Sequence, residues 1–236
     1  MIRSSVVVLF WAMYVIGAAL VGFPVTLLTR DISFLWRISM WGALAGVRLG
    51  GIRLRTAGRE RLDPKQTYLF MSNHVSNLDP PIIVPLLQRR ISILVKKELF
   101  RLPIFSTAMR IAEFVAVDRR NRDAAIESIK AAVRVLQSGM SMLVYPEGTR
   151  SRDGRLLPFK KGPFHMAVDA GVLIVPITMV GTHEAWPKGT FRINPGEVTA
   201  YFHPPIDPRN FDSREALMDA VREAIESALP KQYQMV

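Results

Sequence analysis

The residues best suited to chemistry are a histidine and an aspartate five positions apart, in Ser72-Asn73-His74-Val75-Ser76-Asn77-Leu78-Asp79-Pro80. A carboxylate that accepts from one imidazole nitrogen fixes the tautomer and leaves the other nitrogen as a general base. Such a pair could activate a substrate hydroxyl. On a continuous helix five residues turn by about 140°, which would point His74 and Asp79 apart. In a loop closing onto a helix start they can meet. Asp79 before Pro80-Pro81 also reads as a helix N-cap with proline at the first helical position. No Gly-x-Ser-x-Gly elbow lies nearby and the chain has no cysteine, so an acyl-enzyme route lacks its usual nucleophile. His165, His183 and His203 have no metal-ligand spacing to one another and are expected to be structural.

A second cluster, Tyr145-Pro146-Glu147-Gly148-Thr149-Arg150-Ser151, ends the apolar run Met142-Leu143-Val144. Its plain reading is a Pro–Gly turn with solvated charges. Yet Arg150, Arg152, Arg155, Lys160 and Lys161 outnumber Glu147 and Asp153 there. Gly148 lets backbone approach a ligand closely, and the guanidinium fork matches a phosphate bidentately. Asp118-Arg119-Arg120-Asn121-Arg122 either adds guanidinium at another strand end or simply leads into a helix. Lys96-Lys97-Glu98-Leu99-Phe100-Arg101 mixes cations with large apolar residues, as a surface helix or a patch meeting anionic lipid would.

These residues need elements to hold them. Apolar, β-branched or aromatic runs predict strands at Ile52–Thr56, Thr67–Ser72, Ile91–Val95, Phe114–Val117, Ser141–Tyr145, Leu173–Val180 and Val198–Phe202. Between them lie helical patterns, one through Ala125, Ile129, Val133 and Leu136, another through Leu217, Val221, Ile225 and Leu229. Ser138-Gly139 and Pro230 close these two helices. Strands alternating with helices predict an α/β domain over 50–236 with a mostly parallel central sheet flanked by helices. Sites in such sheets form at the carboxyl ends of strands, where both polar clusters fall.

The first 49 residues differ in kind. No residue from Ser4 to Thr29 is charged, and about 20 apolar residues suffice to cross a bilayer core. Ile32 to Leu49 is apolar too, but carries Arg37 and Arg48 beside Trp36 and Trp41. The pair reads as an N-terminal membrane-anchoring helical segment: one span plus an interfacial helix, or a hairpin dipping into one leaflet. Arg53, Arg55, Arg59 and Arg61 follow, which by the positive-inside bias puts the globular part on the cytoplasmic face. Overall, 31 Lys and Arg against 20 Asp and Glu leave a net charge of +11, with 49% apolar residues. Such a chain can bury a core, so disorder is excluded. The absence of cysteine excludes disulfides, thiolate zinc sites and iron–sulfur clusters.

The ordered set of motifs resembles the glycerolipid acyltransferase superfamily. Asn73-His74 with Asp79 is similar to its first block. Asp118-Arg119, Pro146-Glu147-Gly148-Thr149-Arg150-Ser151 and Ile174-Val175-Pro176 are similar to later blocks, in family order. Within that superfamily the chain looks most like the 1-acylglycerol-3-phosphate O-acyltransferases, the lysophosphatidate acyltransferases. By that resemblance His74 is the general base and Asp79 its orienting partner. Arg119, Glu147, Gly148, Thr149 and Arg150 would hold the glycerophosphate acceptor. Val175 and Pro176 match the block associated with the acyl donor, and Lys96, Lys97 and Leu99 match the segment before the second block. One departure is Glu113, where family members often carry glycine.

The resemblance implies acyl transfer from a thioester to the sn-2 hydroxyl of lysophosphatidate, in the membrane phase of phospholipid biosynthesis. No metal or redox cofactor is expected. Acyl-CoA and acyl carrier protein both stand open as donor, so acyl carrier protein is a candidate partner beside the lipid bilayer. Another lysophospholipid or an amino-acid lipid could be the acceptor. A non-catalytic protein that binds anionic lipid would use the anchor and the charge, but would need neither His74 nor Asp79. Nucleic acid is not an expected partner: the aromatics lie in the anchor and in apolar runs, without a recognisable binding motif.

Overall fold

In the computed structural model, which describes residues 2–101, 103–117 and 122–235, the apolar runs form seven strands. These are β1 (Ile52–Ala57), β2 (Tyr68–Ser72), β3 (Ser92–Lys96), β4 (Val115–Val117), β5 (Met142–Val144), β6 (Leu173–Val180) and β7 (Gly196–Phe202). They pair into one sheet in the order β1-β7-β6-β2-β5-β3-β4. The five strands from β6 to β4 are parallel. β7 runs antiparallel to β6, and β1 parallel to β7. The sheet is therefore mostly parallel, as expected, and five adjacent carboxyl ends open at one edge.

Among the described residues eight α-helices complete the fold: α1 (Ile2–Thr29), α2 (Ser33–Leu49), α3 (Asp79–Leu86), α4 (Pro103–Ile111), α5 (Arg122–Gln137), α6 (Gly162–Ala170), the single turn α7 (Thr182–Ala185) and α8 (Arg214–Ser227). Side chains alternate across a strand, so each buried strand feeds two cores. Phe70, Leu143, Val175 and Ile177 pack with Ile82 and Ile83 of α3 and with Val7 and Val47 of the hairpin. Leu69, Met71, Met142 and Ile174 face the opposite way, onto Leu136, Phe164, Val221 and Ile225 of α5, α6 and α8. All of β2 is buried. Full burial of each such side chain is worth about 1.5–3 kcal/mol, so the strand that leads to His74 is held firmly between the two cores.

The N-terminal segment is an antiparallel hairpin. The indole N–H of Trp11 donates to the Gly42 carbonyl at 3.1 Å, and the Tyr14 hydroxyl to the Ile38 carbonyl at 2.7 Å. Gly42 and Gly46 let the helices approach closely: a Cβ at either would collide with the Tyr14 ring or the Trp11 indole. α2 packs on α3, and α1 lies outside it with Leu9, Met13, Ile16 and Leu20 exposed. At 28 residues α1 is about 42 Å long, more than the roughly 30 Å of a bilayer core. Both of its ends nonetheless stay on the domain. The Ile193 N–H donates to Ser4 Oγ at 2.9 Å, and Phe23 shares a cavity wall with Pro81 and Ala108.

Candidate active site

β2 delivers its chain to a loop pinned from both sides. The Asn73 amide donates to the Met179 carbonyl at 3.0 Å and accepts the Met179 N–H at 2.7 Å, which fastens the loop to β6. Beyond it, His74 Nδ1 lies 2.8 Å from Asp79 Oδ2. That oxygen also accepts the N–H groups of Val75 and Ser76, each at 2.8 Å. The carboxylate accepts and does not donate, so Nδ1 carries the proton and Nε2 keeps its lone pair. Asp79 is fully buried, whereas the His74 side chain retains 17% of its exposure. The imidazole can be reached; the carboxylate cannot.

Asp79 does not cap α3 as the sequence suggested. Leu78 takes the N-cap position. Pro80 and Pro81 have no N–H to offer and the Ile82 N–H goes to the Leu78 carbonyl at 3.1 Å, so the carboxylate turns back to the loop. The proline pair thus frees Asp79 for His74.

The second cluster, 73 residues away in sequence, closes over the first. The Tyr145 ring lies flat on the His74 imidazole, centroids 3.9 Å apart and planes 17° from parallel. Burial pushes the Tyr145 hydroxyl well above the ordinary phenol range, and the neighbouring Asp79 charge adds to the effect. Among the described residues, neither that hydroxyl nor Asp79 Oδ1 has a hydrogen-bond partner. Gly148 sits at φ +71°, the left-handed region that the turn after Pro146 requires. Arg150 Nη1 donates to the Asn77 side-chain carbonyl, and the Ser151 N–H to the His74 carbonyl at 2.8 Å. The turn that carries Arg150 is therefore tied at two points to the loop that carries His74.

Glu147 points inward, only 1% exposed. Its Oε1 accepts the His74 N–H at 2.6 Å and its Oε2 the Leu157 N–H at 2.9 Å. Burial pushes its carboxyl up to about 8 against the pull of these two donors. Both carboxylate oxygens, expected to face the acceptor, are thus engaged by backbone, one of them by the peptide of His74 itself. Val175 and Pro176 are likewise inside the sheet, paired with Phe70 and Met71 of β2. They support the strand that carries His74 and offer no surface to a donor. Thr149 is exposed beside Arg150. Lys96 ends β3, and Lys97 lines a separate groove with Arg110 and Phe114. Arg119 follows β4 and lies outside the described residues.

Sequence reasoning missed Lys188 and Trp186. Lys188 Nζ donates to the Arg150 carbonyl at 2.6 Å and reaches Thr149 Oγ1 at 3.5 Å, adding a second cation. Its position just past β6, at the same sheet edge, was the available signal. Trp186 stacks on Trp11 of α1, centroids 6.0 Å apart. Together with Tyr14, Phe23, Asn77 and Pro81 these two indoles line a largely apolar cleft of about 580 Å³. A further cavity of about 310 Å³ continues it: Phe23, Leu35, Ser39, Ala43 and Pro81 line both. An apolar passage thus runs from the dyad loop, between the hairpin and α3.

Fold and dyad together define an α/β protein with an imidazole base at a strand's carboxyl end and an apolar helical hairpin against it. The family model described as Acyltransferase matches residues 53–180, more than half of the chain. A 1-acyl-sn-glycerol-3-phosphate acyltransferase of Limnanthes douglasii is 39% identical over 173 residues, which cover 72% of this chain and 61% of that protein. One from Borreliella burgdorferi is 31% identical over 192 residues, covering 80% and 74%. The crystal structure of the 1-acyl-sn-glycerophosphate acyltransferase of Thermotoga maritima superposes with a TM-score of 0.81 at 26% identity, covering 96% of this chain and 94% of that one. The chain belongs to the Acyltransferase family. It spans about three-fifths of the length of its Limnanthes relative.

Proposed function

We propose that the protein transfers a fatty acyl group from an acyl thioester to the sn-2 hydroxyl of lysophosphatidate, giving phosphatidate. The observation that carries this reading is the 2.8 Å contact of His74 Nδ1 with the buried Asp79 carboxylate, on a chain whose relatives bear the name of that activity. Nε2 takes the proton of the acceptor hydroxyl as its oxygen attacks the thioester carbonyl. A tetrahedral oxyanion forms, and Asp79 stabilises the imidazolium. Collapse then breaks the carbon–sulfur bond, and the imidazolium returns its proton to the departing thiolate. The ester, the free thiol and a neutral imidazole remain, so the step balances without a metal or redox cofactor. Arg150, with Lys188 beside it, binds the acceptor phosphate, and the apolar passage along the hairpin receives an acyl chain.

The hairpin lies in one leaflet with the catalytic domain on the cytoplasmic face. A helix that crossed a bilayer would carry one end away from the domain, whereas α1 keeps both ends against it. The arginines from Arg53 to Arg61 support that side. The test is a radiolabelled acyl-transfer assay over a panel of lysolipid acceptors, with acyl-CoA and acyl carrier protein thioesters as donors. The wild type is expected to label lysophosphatidate best. His74→Ala should lose roughly 10²–10⁴ of turnover while still binding lipid. Substantial residual turnover would remove the base assignment.

A further inference from the structure

Phe191 is 85% exposed, in the connection between α7 and β7. A lone exposed apolar residue is ordinary, but this one is held in place by the hairpin. Upstream, Trp186 stacks on Trp11 of α1 with planes 9° apart. Its indole N–H donates to the Thr190 carbonyl at 2.7 Å, which tightens the turn just before Phe191. Downstream, Ile193 is buried, and its N–H donates to Ser4 Oγ at the start of α1. The tip of this connection is therefore fastened at both sides to the first three turns of the apolar helix. Arg192, also exposed, follows Phe191, and Lys188 precedes it. An exposed aromatic ring followed by an exposed arginine, continuous with an uncovered apolar helix, is the composition of an interfacial lipid contact.

We infer that the loop 186–193 is a second membrane contact, in which Phe191 enters the interface of an anionic leaflet and Arg192 meets lipid phosphate. The inference rests on the membrane placement of the hairpin given above and extends it to a loop outside the hairpin. It also assigns the loop a place in the reaction path. Lys188 reaches back from the same loop to the Arg150 carbonyl and the Thr149 hydroxyl. The lipid surface and the phosphate-binding turn are thus joined by three residues of chain. An acceptor leaving the headgroup layer enters between them.

The chain has no cysteine, so single cysteines carry a fluorophore without background. Three full-length variants, Phe191→Cys, Leu20→Cys and Ser227→Cys, are labelled with an environment-sensitive dye. They are then bound to vesicles of phosphatidylcholine and phosphatidylglycerol with nitroxide-bearing lipid. Leu20 is exposed on α1, and Ser227 ends α8 on the opposite face of the sheet. The label at 191 should lose most of its emission to a headgroup-level nitroxide, as the label at 20 does to a deeper one, while 227 stays bright. If 20 is quenched and 191 behaves like 227, the loop is no lipid contact and the hairpin placement survives. If neither 20 nor 191 is quenched, both readings fall.

Discussion

The Glu147 carboxylate accepts the backbone N–H of His74 at 2.6 Å, so a residue of the turn after β5 holds the peptide of the histidine. Its oxygens are both spent on backbone donors, and burial raises its carboxyl to about 8 from an ordinary 4.5. Between these values the folded state binds a proton that the unfolded chain has lost. Each unit of rising pH therefore weakens the fold across that window. The contribution is complete below about 4.5 and gone above about 8. Glu147→Gln cannot ionise, and its amide nitrogen cannot accept. We expect a lower Tm overall but a flatter slope of Tm against pH between 4.5 and 8; an unchanged slope would discard the titration.

Asp79 Oδ2 gathers three donors. Asp79→Asn keeps the shape and one acceptor but removes the charge that stabilises the imidazolium. The expected loss is in kcat, roughly 10²–10⁴, with a small change in Tm. Asp79→Ala would in addition leave buried donors unsatisfied, at about 1–3 kcal/mol each, and should lower the urea midpoint clearly. Equal kcat for wild type and Asp79→Asn would contradict the dyad.

Arg150 is half-buried beside Asn77. Loss of a charged hydrogen bond to phosphate is worth about 1.5–3 kcal/mol, so Arg150→Ala should raise the acceptor KM roughly tenfold or more. Asn77→Ala cuts the same tie to the loop but keeps the guanidinium, and should leave that KM close to wild type. If the two variants shift KM alike, Arg150 acts through the loop and not on the phosphate.

Glu113 stands at φ +59°, where a side chain is strained. It is the left-handed residue that ends α4: its N–H donates to the Arg110 carbonyl and the following Phe114 N–H to the Met109 carbonyl, the paired bonds of a Schellman end. Glu113→Gly removes the strain and should stabilise the protein by about 1 kcal/mol, with no effect on acceptor preference. Urea unfolding and the acceptor panel measure both.

That residue also shows what a sequence can and cannot carry. Glu113 read only as a departure from the glycine common at that position, whereas a left-handed backbone angle explains why glycine suits it, and backbone angles are not written in residue names. The central strands β2, β5 and β6 were legible as apolar runs buried on both faces, and β7 by its alternation of buried and outward residues. The histidine–aspartate pair was legible because its two members are near neighbours in the chain. Tyr145 on His74, Lys188 on Arg150 and Glu147 on the His74 peptide were not, since each joins segments tens of residues apart. Asp79 was misread as a cap because Pro81 has no N–H and the Ile82 N–H goes to the Leu78 carbonyl, neither of which the cap rule counts.

The stacking of Trp11 on Trp186 has a consequence for how the protein can be altered. Residues 1–49 look like a detachable tether by composition, but they supply a wall of the apolar cleft and grip a loop at the sheet's active edge. Trimming the tether would open that chamber and leave the loop unbraced. Grafting on a different tether should restore location without restoring turnover.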